Sequence, residues 1–259
     1  MSIQGLGLGL HKSLATRGSL IGATLLASEY SIDFDGSGDY LAFTETTFPL
    51  GDQGDTLSFV FWAKRDGTGS EDAVICNVNG FKRRIHFNDD GDRLYIEGDQ
   101  NGQDAYGAVT SDTDWHHYAI TIHNDDTAGN PATVVMYEDG NPVSTTTTNL
   151  GVAAGASDGD FTVNSIGSPS GGGTTGFDGH LYQVAIFNVV LSADNITKIY
   201  NEGNPLPLKE DDGDYNQSTN LMHLWRFAEG SGTDSVDSIG DLDLSLNGNA
   251  AFSTDIPEA

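Results

Sequence analysis

Leu57, Phe59 and Phe61 alternate with Ser58, Val60 and Trp62 in the run TLSFVFWAK. A strand sends successive side chains to opposite faces, so this pattern predicts a strand that is apolar on both sides and therefore sits inside a layered fold. Similar short runs recur along the chain. SIDFDGSGDYLAF alternates around a glycine-rich bend, WHHYAITI and FTVNSIG read as single strands, and RIHFNDDGDRLYIEG and TVVMYEDGNPV read as hairpins. The hairpins carry Asp90-Gly91 and Asp139-Gly140, dipeptides that accept the positive φ angles of a two-residue turn. Only Ser192 to Asn201, SADNITKIYN, has a helical period. Ser192 supplies its N-cap, and Ile196, Ile199 and Tyr200 share one face. Short strands at regular spacing with one small helix predict an all-β, two-sheet antiparallel jelly-roll sandwich.

Length and composition bound what such a fold can do. The 259 residues are 37% hydrophobic, enough for a substantial core, and the 33 glycines against 7 prolines agree with many tight turns. With 38 acidic and 11 basic residues the net charge is −27. That balance leaves no Lys/Arg footprint for nucleic acid and repels anionic membranes. Cys76 is the only cysteine, which excludes an intramolecular disulfide and a cysteine-built metal cluster. No segment has the length and apolarity of a membrane span.

FDGHLYQVAIFNVVLSADNITKIYNEGN, Phe177 to Asn204, resembles the closing motif of laminin G-like jelly rolls in the concanavalin A-like lectin/glucanase superfamily. In those domains a Phe-x-Gly strand precedes an aromatic strand, a Leu-Ser turn and a short helix ending in Tyr-Asn-x-Gly. The matching residues are Phe177, Gly179, Ile186-Phe187, Leu191-Ser192 and Tyr200 to Gly203. FDGSGDYL, LSFVFWAK, WHHYAIT and VVMYEDGNPV stand in family order before it. The segment from Leu221 to Pro257 is similar to the Trp-x-Phe-x-Glu-Gly-x-Gly opening of such jelly rolls, yet follows the closing helix. The resemblance thus implies a jelly roll over residues 31–259, with closing motif 177–203, linker 204–220 and a relocated strand segment 221–259. With the glycine-rich start GLGLGL and the ending near Thr254-Asp255-Ile256-Pro257, it also resembles laminin G-like proteins of tailed, notably marine, bacteriophages.

The residues bear on three chemistries. Glucanases of the superfamily place carboxylates on one strand as Glu-x-Asp-x-Glu; the nearest approach, Glu97 to Asn101, ends in Asn where the acid/base should stand, so no enzyme activity is expected. His116 and His117 are adjacent, hence on opposite faces, and cannot chelate one metal together. Asp33, Asp35 and Asp39 surround two glycines in DFDGSGD and form the candidate calcium site. Relatives add an acidic pair after the Phe-x-Gly motif, where this chain has Tyr182-Gln183. For glycans, Tyr106, Trp115 and the loop 168–175 are candidates, although Trp62, Trp115 and Trp225 all lie in strand motifs and read better as core.

Two functions follow. The phage resemblance implies a non-enzymatic virion structural protein, decorating a capsid or forming part of a tail; the alternative is a secreted or cell-surface carbohydrate-binding adhesin. Residues 1–30 have no carboxylate before Glu29 and carry His11, Lys12 and Arg17 among Gly, Leu and Ile. They read as a retained extension that cannot fold alone and anchors on other virion proteins or further copies of the chain. The other reading tucks them against their own sandwich. The expected partners are thus virion proteins, the chain itself and cell-surface glycans, without nucleic acid or membrane.

Overall fold

The computed structural model describes residues 28–258, except 68–70, 78–82, 89–91, 99–103, 126–131, 149, 151–159 and 169–175. The proposed anchoring arm therefore lies almost wholly outside the described residues. Its last three residues do not: Ser28 donates to Phe227 O at 3.2 Å and its own carbonyl accepts from the Tyr182 hydroxyl at 3.1 Å.

The strands in chain order are β1 (Ser31–Asp35), β2 (Tyr40–Phe48), β3 (Thr56–Arg65), β4 (Asp72–Cys76), β5 (Arg84–Asn88), β6 (Arg93–Glu97), β7 (Asp104–Ala108) and β8 (His116–His123). They continue with β9 (Thr133–Glu138), β10 (Asn141–Val143), β11 (Thr145–Thr148), β12 (Phe161–Ile166) and β13 (Asp178–Phe187). Helix α1 (Ala193–Tyr200) then precedes β14 (Leu221–Trp225), β15 (Asp234–Ser235), β16 (Leu244–Asn247) and β17 (Ala251–Ser253). All pairings are antiparallel. Sheet A runs β10-β9-β8-β3-β13-β1-β17, with β14 also against β13; sheet B runs β11-β7-β6-β5-β4-β12-β2-β16-β15.

Alternation decides the layers. Leu57, Phe59 and Phe61 enter the inter-sheet core, where Phe59 meets Phe161 edge-on at 5.2 Å and Phe61 meets Phe87 at 6.4 Å. Val60 and Trp62 point to the other side of sheet A. The Asp139-Gly140 turn has φ of 48° and 76°, the mirror-image turn that its dipeptide favours. Helix α1 is capped by Ser192, whose side chain accepts from Asn195 N while Asn195 bonds back, and ends at Asn201 in the left-handed conformation.

The segment after α1 is part of the sandwich. Leu206, Leu208 and Tyr215 pack with Ile196 and Ile199 over the outer face of sheet A, so 204–220 is a packed cover where an acidic linker was expected. β14 lies beside the second half of β13, β17 beside β1, and β16 beside β2. The turn beyond β14 is held by Asp237, whose carboxylate accepts from His223 Nδ1 at 2.6 Å and from the backbone N–H groups of Leu224, Ile239 and Leu242 at 3.0 to 3.3 Å. Burial would raise this carboxyl, but those donors outweigh it and hold it at about 2. Replacing Asp237 with Asn turns one acceptor into a donor facing donors. D237N is expected to lower unfolding free energy by about 2 kcal/mol in urea melts at pH 7.

Candidate carbohydrate site

The outer face of sheet A beside the end of α1 is aromatic. Trp62 and Tyr182 are 2% exposed, and Trp115, Tyr200 and Ile256 pack against them. Trp62 and Trp225 are interior, as their strand motifs predicted, and the Trp225 indole donates to Leu242 O at 2.7 Å. Trp115 departs from that expectation. It stands just before β8, half-buried, and its indole Nε1 donates to Asp255 Oδ1 at 2.7 Å. Asp255 belongs to the C-terminal strap that follows β17. Its other oxygen accepts from Lys64 Nζ at 2.5 Å, and its carbonyl accepts from Ser31 Oγ at 2.5 Å. Burial would raise the Asp255 carboxyl, but Lys64 and Trp115 more than offset this and keep it ionised.

These contacts fix the indole at the wall of a pocket of about 480 Å³ lined by Asp114, Trp115, Thr254, Asp255, Ile256 and Glu258. It is a depression open to solvent and lined mostly by polar surface, which a small ligand can enter from outside. An aromatic ring, an isoleucine and a threonine supply apolar and hydroxyl surface, and three carboxylates supply acceptors for hydroxyl donors. No feature of the local sequence brings Asp255 to Trp115; they are 140 positions apart.

The outer face of sheet B carries a second polar array, in cross-strand rows. His86, Tyr95 and Tyr106 stack in series, with centroids 5.3 and 5.0 Å apart, and the Arg93 guanidinium lies 5.0 Å from the Tyr106 centroid. The rings face one another, so their faces are used up internally. In the next row Arg84 Nε donates to Glu97 Oε2 at 2.6 Å, and Asp104 stands opposite Glu97 in the register. Burial would raise Glu97, but His86 and Arg84 outweigh it and hold it at about 2, whereas burial pushes Asp104 up. Glu97 thus pairs with Arg84 and lies 3.5 Å from His86 Nε2, and Arg84 also pairs with Glu71 beyond. The rest of the Glu97 to Asn101 stretch beyond Gly98, and all of the 168–175 loop after Ser168, lie outside the described residues.

The calcium expectation meets a different arrangement. Asp39 is buried and its two oxygens accept from Asp35 N at 2.9 Å and Asn249 N at 2.5 Å. Asp35 accepts from Ser37 N and Asn249 Nδ2, both at 2.9 Å, and the Asn249 amide leads the causes that hold its carboxyl low. Asp33 faces His180 at 3.6 Å. Asp35 and Asp39 therefore staple the β1–β2 turn to the β16–β17 turn, and among the described residues no group of three His, Cys, Asp or Glu side chains is placed to hold a metal ion. Tyr182 and Gln183 are buried and bonded elsewhere, to Ser28 O and Leu206 O.

A family model described as the concanavalin A-like lectin/glucanases superfamily matches residues 35–197. The chain belongs to that superfamily. Among solved structures, a Bacteroides ovatus protein provisionally described as a carbohydrate binding protein superposes with a TM-score of 0.61 at 17% identity, over 89% of this chain and 61% of that one. This chain thus spans less than two thirds of that protein's length. The heptameric SAP-like pentraxin of Limulus polyphemus superposes with a TM-score of 0.51 at 14% identity, over 70% of this chain and 85% of that one. At these identities the likeness is one of fold. None of the curated proteins compared with it matches the chain. Superfamily membership covers lectins and glucanases alike, so the site has to carry the function.

Proposed function

We propose that this chain is a non-enzymatic carbohydrate-binding module, secreted or displayed at a cell surface, whose glycan site is the Trp115 pocket. The observation that carries the reading is the indole held by Asp255 at the wall of a 480 Å³ pocket with Asp114, Asp255 and Glu258 around it. A fixed aromatic face stacks on the apolar side of a sugar ring, and carboxylates accept its hydroxyl protons. Three carboxylates in a chain of net charge −27 repel uronates and sialic acids, so the expected ligands are neutral glycans. The engagement of Glu97 by Arg84 and His86 supports the non-enzymatic part.

This reading takes the adhesin alternative over the virion one. The virion role rests on a phage resemblance with no feature of the fold or site behind it. The test is a glycan array followed by calorimetry on the best neutral hit. Trp115→Ala is expected to weaken binding about 30-fold, roughly 2 kcal/mol, as removal of an aromatic anchor does, while Tyr106→Ala leaves it within about twofold. Equal binding by Trp115→Ala and wild type, or an array without neutral hits, rejects the site.

A further inference from the structure

In the aromatic cluster that shares Trp115 and Ile256 with the pocket, three polar side-chain atoms have no hydrogen-bond partner. Trp62 Nε1 and both ring nitrogens of His117 make no hydrogen bond, and these residues are 2% and 0% exposed. Trp62 and His117 are register partners on β3 and β8, with ring centroids 5.0 Å apart. Tyr200 of α1 covers both, 5.8 Å from Trp62 and 6.0 Å from His117. On the other side Tyr182 packs on Trp62, Trp115 meets Tyr182 edge-on at 6.4 Å, and Ile256 of the strap joins the same cluster. Ile256 and Trp115 are shared between this aromatic box and the pocket.

Unpartnered buried polar atoms are costly, and native structures rarely keep three in one cluster, here two N–H groups and one acceptor nitrogen, without water or a ligand to bond them. The chemistry required is narrow. The indole can only donate, and a neutral imidazole donates from one nitrogen and accepts at the other. A group satisfying both must accept and donate, carry no charge, and lie at the edges of the aromatic rings, where the nitrogens are. A hydroxyl meets these terms, whether from a sugar or from water.

We propose that Trp62 and His117 form an inner subsite of the Trp115 pocket, gated by Ile256 of the C-terminal strap, which takes a neutral vicinal hydroxyl group. It rests on the pocket reading above and specifies how deep a sugar reaches. The strap can gate at Ile256 alone: Asp255 before it is anchored by Lys64, Trp115, Ser31 and Ser253, whereas Ile256 is held by packing. When Ile256 lifts, the box opens toward the pocket, and a ring stacked on Trp115 can place a hydroxyl against Trp62 and His117.

The test follows the three tryptophan indole N–H signals by NMR in full-length, ¹⁵N-labelled protein titrated with glycerol, the smallest neutral vicinal polyol. Trp225, bonded to Leu242 O, is the internal reference. The Trp62 signal is expected to move saturably in wild type, with an apparent Kd at least roughly tenfold lower in Ile256→Gly, because removing the plug raises the open fraction. Ile256→Ala gives the same direction should the glycine variant fold poorly. A water exchange peak at Trp62 Nε1–H that persists unchanged to saturating glycerol shows water alone and rejects the sugar subsite. No saturable movement of Trp62 in any of the three proteins also overturns it. Failure of Trp115→Ala to alter glycan binding would reject the outer site while leaving the Trp62 readout intact, so the two failures are distinguishable.

Discussion

Replacing Gly179 with alanine is expected to destabilise the sandwich by about 4 kcal/mol or more and to lower the melting temperature by roughly 10 °C. Gly179 is the glycine of the Phe-x-Gly motif, with φ of +129°, a conformation that residues with a Cβ rarely adopt. A Cβ there would lie 2.2 Å from Lys64 O and 2.9 Å from Asp66 N. Both are backbone atoms of β3 and its continuation, so no side chain can rotate to relieve the clash. The strand pair itself must separate. That pair is central: β13 has β3 along one side and β1, then β14, along the other. Set against a typical total of 5 to 15 kcal/mol, the loss is a large fraction of stability. Thermal and urea melts of G179A beside G54A, where a Cβ would meet nothing within 4 Å, separate the backbone clash from the cost of positive φ, since Gly54 also has φ of +92°. Equal losses in the two variants would reject the steric account.

Between pH 6.5 and 4 the wild-type chain is expected to lose about 3 kcal/mol that a His117→Phe variant keeps. Burial pulls the His117 imidazole down to about 3, with the charge of Asp139 only partly opposing. The unfolded chain, with the ordinary histidine value near 6.5, then binds a proton that the folded chain refuses. Stability tied to His117 is therefore present above pH 6.5 and is lost as the pH falls toward about 3, at roughly 1.4 kcal/mol per unit. His116 works in the opposite sense. It bonds Asp139 Oδ2 at 2.7 Å and Asp112 Oδ1 at 2.9 Å, and Asp139, with Asp112 behind it, raises it to about 9 against the opposing effect of burial. Its contribution is fully present below pH 6.5 and disappears as the pH rises through about 9. Adjacent histidines thus bound the stable range from both sides. Urea melts of wild type and H117F at pH 4, 5 and 7.5 decide the matter: the difference should grow on acidification, and parallel pH profiles would refute it. Glu97 and Asp237, both held near 2, lose their contributions only as the pH falls from their unfolded values near 4 toward 2, and do so in both proteins.

Where structure follows from neighbours in the chain, the sequence by itself determined it. The period-two pattern of Leu57 to Trp62 sorts core from outer face, Asp139-Gly140 sets a mirror-image turn, and Ser192 with Asn195 starts the one helix, because each depends on backbone preferences within a few residues. The placement of His116 and His117 on opposite faces of β8 follows in the same way. Their opposite charge states do not, since Asp112 and Asp139 reach His116 from other loops while Trp62 and Tyr200 seal His117.

Tertiary structure decided the rest. At Tyr182-Gln183 the strand β13 bulges, Gln183 taking φ of 48°, and the bulge changes the alternation: Leu181 faces the core before it, and Val184 and Ile186 after it. No periodicity in QVAIF reveals that shift; it comes from pairing with β3. Asp33, Asp35 and Asp39 resemble metal ligands in sequence because acidic residues around glycines suit a cation, yet Asn249, 210 positions after Asp39, supplies the N–H groups that their loop uses. Trp115 is the clearest case. Its motif places it at the start of a buried strand, and only the return of the chain at Asp255 turns the indole into the wall of a pocket. Loop closure over 140 residues leaves no local signature, because the contact exists only when β8 and β17 have joined one sheet through β3, β13 and β1.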